Sequence, residues 1–182
     1  MPPLWYIAII PDKDLCERVK QLKLEMKEKY GSSHALKSPA HVTLVMPFRR
    51  IEGFGDETSP LLSEFAAGCR PHQIECDGFG SFEAKVIYVD LNPKEPLREV
   101  HRNLRELLLT KEIFPPKQIW PKINPHITIA TRDLTEDNFH KAWAEYSDRS
   151  FSGSFEMNSI SLLKHNGKDW DEWRRFDFGQ RS

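Results

Sequence analysis

A pattern of histidine, apolar residue, threonine and apolar residue occurs twice in this chain, at 41–44 and at 126–129. Successive side chains of a β-strand point to opposite faces, so in each copy the histidine and the threonine share one face. Two such strands lying side by side would place two imidazoles and two hydroxyls around one small volume. This arrangement predicts acid–base chemistry on a phosphate. The candidate catalytic residues are His41, Thr43, His126 and Thr128.

Composition excludes several classes of protein. The 182 residues suffice for one domain with a hydrophobic core, and a formal net charge of −1 does not favour a partner as acidic as duplex DNA. No apolar run is long enough for a membrane helix, and the apolar stretch 4–10 lacks the cleavage site of a signal peptide. We therefore expect a cytoplasmic protein. The three cysteines show no C-x-x-C spacing and are expected to be reduced thiols.

The two motifs follow similar series of predicted elements. The elements predicted in the first half are a strand at 5–10, a helix between Asp12 and Gly31, the first motif strand, a loop at 49–57, a helix from Ser59-Pro60, and strands at 72–82 and 84–91. Those predicted in the second half are a strand at 86–91, a helix with Pro96 near its start, a proline-rich loop at 115–125, the second motif strand, a helix capped by Thr135, and strands at 153–164 and 172–178. This order predicts an internal duplication within a single domain, 1–182, with pseudo-repeat halves of roughly 1–85 and 86–182.

Other chemistries fit the sequence less well. A zinc site needs three or four ligands, and neither motif has another histidine, cysteine or carboxylate at a ligand offset, so a metal site is the second choice. The chain has no G-x-S-x-G nucleophile elbow and no Walker A pattern. The remaining histidines are expected to be structural or on the surface. They are His34, His72, His101, His140 and His165.

The paired motif resembles the H-x-[ST]-x hallmark of the two-histidine phosphoesterase superfamily, which includes bacterial 2′-5′ RNA ligase-like proteins and 2′,3′-cyclic phosphodiesterases. Both copies are intact, and the resemblance covers nearly the whole chain. It implies an α+β fold with two pseudo-symmetric lobes, each a mainly antiparallel sheet with outer helices, around a central cleft. The motif strands would face each other across that cleft, and no cofactor or metal would be needed.

The function expected from this resemblance is metal-independent hydrolysis of a 2′,3′-cyclic phosphate or a 2′-5′ phosphodiester, at RNA ends or in nucleotides. One neutral imidazole would take a proton from water, and the other, as imidazolium, would protonate the leaving oxygen. The two threonines would donate hydrogen bonds to the non-bridging oxygens. The sequence does not decide which histidine is the base. We expect a monomer with a nucleotide or RNA-end substrate.

Four further residues are predicted to contact the substrate. Arg132, near the end of the second motif strand, could reach a phosphate, and Phe48 and Trp120 could stack on a base. Tyr6, on the first strand, could line the cleft. Lys37 and Lys122 each lie four residues before a motif histidine, and we expect both to be solvated loop charges.

Two alternative functions remain open at this point. The first is a nucleotide- or RNA-binding module with marginal turnover. The intact histidines count against it, since a pure binder does not need two titratable groups. The second is a cyclic phosphodiesterase acting on an ADP-ribose derivative.

Overall fold

The computed structural model describes residues 1–179, which form four α-helices and eight β-strands in two sheets. The strands are β1 (Leu4–Ile9), β2 (Val42–Arg49), β3 (His72–Phe82), β4 (Val86–Asn92), β5 (His126–Ala130), β6 (Ser152–Met157), β7 (Ser159–His165) and β8 (Trp170–Asp177). The helices are α1 (Lys13–Tyr30), α2 (Phe54–Gly68), α3 (Glu95–Thr110) and α4 (Glu136–Tyr146). Two short 3₁₀ helices, His34–Lys37 and Pro116–Gln118, precede the motif strands β2 and β5.

Each sheet has four antiparallel strands and carries one motif strand at its edge. The first sheet has the order β2-β1-β7-β8, and the second has the order β5-β4-β3-β6. The two orders correspond position by position, with β2 and β5 as the equivalent edge strands. The expected α+β fold with two similar antiparallel sheets is confirmed.

The sheets do not coincide with the two halves of the sequence. β3 lies before residue 85 but belongs to the sheet of the second motif, whereas β7 and β8 lie in the C-terminal half and belong to the sheet of the first motif. β7 pairs directly with β1, for example Ala8 with Ser161. A boundary at residue 85 therefore does not separate the two sheets, because the chain crosses between them twice.

Local sequence signals account for the ends of α1 and α4. The Asp12 side chain accepts a hydrogen bond from the backbone N–H of Leu15, and Gly31 ends α1 in the left-handed conformation at φ 69°. Thr135 caps α4 through the N–H of Asn138. These caps lie where the sequence predicts them. Both helices cover the sheets with an apolar face, which for α1 includes Val19 and Met26.

Helix α2 begins earlier than predicted. The loop expected at 49–57 ends at Gly53. Helix α2 starts at Phe54, so Pro60 lies inside the helix and not at its start. The prediction placed Pro60 at the helix start because it lacks an amide N–H. Tertiary packing decides otherwise, since the Phe54 ring lies 5.8 Å from the ring of Trp5 and 5.3 Å from that of Phe48. Burial of Phe54 stabilises the extra turn.

The long strand predicted at 153–164 is two strands in different sheets. β6 ends at Met157, β7 starts at Ser159, and Asn158 lies between them. The carbonyl of Asn158 accepts a hydrogen bond from the N–H of Phe178, just after β8. β6 alternates exposed and buried residues and β7 is largely buried, and no glycine or proline separates the two strands. The sequence pattern therefore does not reveal the change of sheet.

One hydrophobic cluster extends through both sheets and all four helices. A smaller cluster of Tyr6, Ala8 and Leu163 lies on the other face of the first sheet. Within residues 1–179, none of the helices is both long enough and apolar enough to cross a membrane.

Candidate active site

The two motif histidines lie at the beginning of facing edge strands. His41 directly precedes β2, and His126 is the first residue of β5. The two strands approach each other across the gap between the sheets. In each motif the histidine and threonine are partly exposed while the apolar residues on the opposite face are buried, with exposures of 2% or less. The period-two pattern of the sequence therefore produces the expected division of the faces.

Both imidazoles are oriented by the same backbone contact. Nδ1 of His41 lies 2.8 Å from the carbonyl oxygen of Pro39, and Nδ1 of His126 lies 2.6 Å from that of Asn124. A carbonyl oxygen only accepts hydrogen bonds, so Nδ1 must carry the proton in each ring. The neutral form of each histidine therefore has a free lone pair on Nε2. This nitrogen can accept a proton from a ligand, or donate one when the ring is charged.

Aromatic side chains pack against each histidine in a similar way in the two sheets. The ring of Tyr6 on β1 lies 5.0 Å from that of His41, and the ring of Tyr88 on β4 lies 4.9 Å from that of His126. Phe82 contacts His126 edge to face at 4.9 Å, and Trp170 contacts Tyr6 at 4.6 Å. These rings hold the imidazoles in place and remove water from one side of each.

A cavity of about 430 Å³ lies between the motif strands. It includes both histidines and both threonines of the motifs, which the sequence predicts to share one site. This volume is in the range that holds a nucleotide-sized ligand. The other lining residues are Tyr6, Lys23, His34, Ala35, Ser38, Val42, Leu44, Met46, Pro47, Phe82, Val86, Trp120, Lys122, Ile123, Asn124, Pro125, Thr131, Arg132 and Trp170.

The charged residues that line the cavity are all basic. Lys23, Lys122 and Arg132 contribute three cations, and the described part of the chain contributes no aspartate or glutamate to the lining. The whole protein has a formal net charge of −1, so this sign bias is local. A cavity with low-dielectric walls and one sign of charge concentrates ligands of the opposite sign. The cavity is therefore suited to an anion.

The hydroxyls of Thr43 and Thr128 are in a position to bind that anion. Thr43 pairs with Ala8 of β1, and Thr128 pairs with Tyr88 of β4, so the two hydroxyls have equivalent places in their sheets. Within residues 1–179 neither hydroxyl makes a hydrogen bond to another protein group. Both are thus available as donors to a ligand oxygen.

The two imidazoles have different electrostatic surroundings. Burial lowers the pKa of His41 to about 4, and the positive charges of Lys23 and His126 act in the same direction, against the hydrogen bond to Pro39. Burial also lowers the pKa of His126, but there the contact with the Asn124 carbonyl opposes it. Lys94 lowers the pKa of His126 and Asp90 raises it. His41 is therefore the ring that is more strongly held in its neutral form.

The predicted accessory residues divide into two groups. Tyr6, Trp120 and Arg132 line the cavity, with Trp120 56% exposed. Phe48 does not line it: the ring is 7% exposed and packs edge to face on Phe114 at 4.7 Å. The expectation that Phe48 stacks on a base is corrected, because it faces the core side of β2. The pairing of β1 with β2 shifts register twice before Phe48, so simple alternation from the motif does not predict which face its ring takes.

His34 and Lys122 line the cavity, although neither was selected from the sequence as a site residue. Lys122 is an exposed loop residue, as expected. Lys23, Phe82 and Trp170 also line it, and the sequence interpretation did not select them. Lys23 interrupts the apolar stripe of α1, which is the one local signal that could have drawn attention to it.

One end of the cavity is held together by Asp133. Its carboxylate accepts hydrogen bonds from Ser32 Oγ at 2.9 Å, from Ser33 Oγ at 3.0 Å, and from the backbone N–H groups of Ser33 and His34, both at 2.9 Å. These bonds join the loop after α1 to the loop after β5. The neighbouring Arg132 has a left-handed backbone, at φ 59°. The network therefore fixes the positions of His34 and Arg132 relative to each other.

Within residues 1–179 none of the three cysteines lines the cavity. Burial raises the pKa of Cys16, Cys69 and Cys76 to about 11, which keeps all three as neutral thiols. Among the described residues, no group of three or more histidine, cysteine, aspartate or glutamate side chains is placed to hold a metal ion.

The family model for the 2′-5′ RNA ligase superfamily matches residues 11–169 of this chain. The chain belongs to the 2′-5′ RNA ligase superfamily. Both motifs lie within the matched range. The resemblance to two-histidine phosphoesterases inferred from the sequence is confirmed. Comparison with curated protein sequences gave no match.

Several solved structures have the same fold as this chain. TT0787 of Thermus thermophilus has a TM-score of 0.67 at 17% identity, covering 98% of this chain and 100% of that chain. The apo form of E. coli LigT has a TM-score of 0.65 at 15% identity, covering 99% of both chains. Usb1 of Kluyveromyces marxianus has a TM-score of 0.56 at 13% identity, covering 96% of this chain and 98% of that one. At these identities the similarity concerns the fold.

Proposed function

We propose that this superfamily member is a metal-independent phosphodiesterase. It hydrolyses a 2′,3′-cyclic phosphate or a 2′-5′ phosphodiester, in a nucleotide or at the end of an RNA. The observation that carries the proposal is the pair of imidazoles on facing edge strands, both with Nδ1 bound to a backbone carbonyl and both bordering one basic cavity. With a free Nε2 atom on each side of an anion site, one imidazole can accept a proton from the attacking water and the other can donate a proton to the leaving oxygen.

The proposed reaction uses the two histidines on opposite sides of the phosphorus. His41 takes a proton from water as the water oxygen attacks phosphorus. The bond from phosphorus to the departing 2′ or 3′ oxygen then breaks, and His126 donates a proton to that oxygen. His41 is assigned as the base because its ring is the more strongly held in the neutral form. Thr43 and Thr128 donate hydrogen bonds to the non-bridging oxygens, where charge must be stabilised.

The rest of the cavity is proposed to hold the nucleoside and further phosphates. Arg132, held beside His34 through Asp133, is suited to a phosphate or ribose oxygen, and Trp120 to stacking on a base. LigT of E. coli has been solved in complexes with 3′-AMP and with phosphate, so a protein with this fold binds a nucleoside monophosphate. A small or single-stranded substrate agrees with the overall charge, which does not favour a long duplex.

A substrate panel in the presence of EDTA tests this function. The panel contains 2′,3′-cyclic nucleotides, a 2′-5′ dinucleotide, an ADP-ribose cyclic phosphate, and a 3′-5′ dinucleotide as the matched control. We expect turnover of a cyclic nucleotide or the 2′-5′ dinucleotide at the same rate with and without EDTA, because the proton transfers need no metal. Products are separated by chromatography and counted per enzyme.

Three outcomes of the panel would contradict the proposal. Loss of turnover with EDTA would show a metal requirement. Binding of nucleotides without turnover of any compound would indicate a binding module. Exclusive turnover of the ADP-ribose compound would keep the chemistry but replace the proposed substrate class.

The pH dependence of kcat/KM should be bell-shaped, because one histidine must be neutral and the other charged. The fraction of neutral His41 rises as pH increases through its pKa of about 4. The fraction of protonated His126 falls as pH increases through its pKa, which lies below the ordinary value for histidine. Activity should therefore decline at neutral pH and above, by about tenfold per pH unit. Steady-state kinetics across the pH range measures both limbs of the bell, the acidic limb where activity rises with pH and the alkaline limb where it falls.

Variants show which limb belongs to which histidine. The residual activity of His126→Ala should lose the alkaline limb, and that of His41→Ala should lose the acidic limb. If the limbs are exchanged between the variants, the roles of base and acid are reversed. A profile that is flat across roughly pH 5–8 would show that neither histidine transfers a proton in the reaction.

A further inference from the structure

Lys23 is a buried cation for which the described residues provide no carboxylate partner. Its side chain is on α1, in the apolar stripe between Leu22 and Met26, and the residue is 3% exposed. No ion pair involving Lys23 forms within residues 1–179. Lysine is almost never fully buried unless it is paired, because removing an ammonium from water is costly. A negative charge near Nζ would stabilise the buried ammonium, and the described residues do not supply one.

The geometry leaves Lys23 two donors for a ligand. Nζ donates one hydrogen bond, at 2.9 Å, to the carbonyl oxygen of Ser38. An ammonium has three N–H groups, so two remain. Lys23 borders the same cavity as His41, and the next carbonyl along the chain, that of Pro39, is the one that orients the His41 ring. One short segment therefore holds both the ammonium and the imidazole.

None of the groups around Lys23 supplies the missing negative charge at neutral pH. Burial raises the pKa of Cys16 to about 11 and raises the pKa of Tyr6, so both are neutral. Burial lowers the pKa of Lys23 itself to about 8. Among the described residues, Cys16, on the same helix, is the one titratable group whose charge acts on the pKa of Lys23. Besides Lys23, the titratable or charged side chains that line the cavity are Tyr6 on β1, His34 in the 3₁₀ helix, His41 before β2, Lys122 before β5, His126 on β5 and Arg132 after β5.

We propose that Lys23 binds a non-bridging oxygen of the substrate's phosphate, on the side of His41, through its two free N–H groups. This inference rests on the proposed function, since it takes the cavity to be a phosphate site. The phosphate supplies the counter-charge that the buried ammonium lacks, and the ammonium stabilises the charge on the phosphate beside the base. Lys23 is thus a third group on the side of the first motif. Helix α3 has the corresponding place between β4 and β5, but within residues 1–179 none of its residues lines the cavity.

This role has a consequence for anion binding. Below about pH 8 the ammonium is already charged in the free protein, and binding needs no proton. Above that pH, binding must be accompanied by uptake of a proton at Nζ, since the bound anion favours the charged form. Affinity should then fall as pH increases. The motif histidines do not contribute in this range, because their pKa values lie lower.

Sulfate binding to the full-length protein tests the inference. Sulfate is a tetrahedral dianion whose charge is constant over the range used, and isothermal titration calorimetry measures its affinity and the proton uptake. For the unaltered protein we expect affinity to fall about tenfold between about pH 7 and about pH 9. Lys23→Arg, which stays charged, should bind with no change over this interval. Lys23→Met should bind at least about tenfold more weakly at pH 7, with no proton uptake.

Lys20→Met is the matched control, because Lys20 is an exposed lysine on the same helix. It should bind as the unaltered protein does. The inference is overturned if Lys23→Met keeps full affinity, if the pH dependence persists in Lys23→Arg, or if sulfate does not bind. The unaltered protein could show no turnover in the substrate panel while Lys23→Met still binds sulfate more weakly than it does. That result would refute the enzymatic proposal and leave the anion-binding role of Lys23 intact. Turnover that Lys23→Met leaves unaltered would refute the role of Lys23 alone.

Discussion

Replacing His41 or His126 with alanine is expected to reduce kcat by about 10²–10⁴-fold, because each variant removes one of the two proton transfers. The kcat of the double variant should be only slightly lower than that of the less active single variant. The two histidines act on the same reaction step, so the effects of removing them do not add. Steady-state kinetics on the cyclic nucleotide or 2′-5′ dinucleotide turned over in the panel measures both effects. Sulfate affinity reports separately whether the cavity is still intact.

His140→Ala provides the control for these substitutions. The His140 side chain is on α4, is 66% exposed and lies outside the cavity. Its removal should leave kcat unchanged. Turnover that survives the loss of both motif histidines would overturn the assignment of the active site, and unequal losses of more than about 10⁴-fold would show that one histidine has a further role beyond proton transfer.

Replacing Thr43 or Thr128 with valine is expected to reduce kcat by about 10²–10³-fold, with a smaller effect on KM. Valine keeps the shape of threonine, so the change removes the hydroxyl donor and little else. Within the described residues neither hydroxyl has a protein partner, and losing it leaves no buried group unsatisfied. The loss should therefore fall on the transition state, where a preset donor is worth most.

The serine variants make this test specific. Thr43→Ser and Thr128→Ser restore the hydroxyl without the methyl group and should recover most of the activity. Thermal unfolding of the valine variants should match that of the unaltered protein. If the valine variants raise KM and leave kcat unchanged, the hydroxyls bind the ground state and the transition state equally, and their proposed part in catalysis is wrong.

Much of the local structure follows from short-range sequence signals. Asp12, Gly31 and Thr135 mark helix ends because each satisfies backbone groups that the helix itself leaves free. The motifs place His and Thr on one face because a strand alternates its side chains, whatever the strand packs against. These features depend on neighbouring residues only, so one sequence suffices to predict them.

The start of α2 and the position of Phe48 could not be predicted in the same way. Both depend on contacts among aromatic side chains far apart in the sequence: Phe48, Phe54 and Phe114 form one cluster with Trp5. Proline at 60 and the glycines before it indicate a loop, and burial of Phe54 outweighs that local preference. Packing energy of this kind is not visible in any window of a few residues.

Residue types and their spacing are enough to specify the pair of motifs, the chemistry of their side chains and the order of most strands and helices. Only the folded chain shows that β3 joins the second sheet, that β7 and β8 join the first, and that both motif strands are edges facing one cavity. Only there does Lys23, a helix residue 18 positions before His41, become a cation beside it. Strand pairing and burial join residues distant in the chain, and these long-range contacts convert two separate strands into one site.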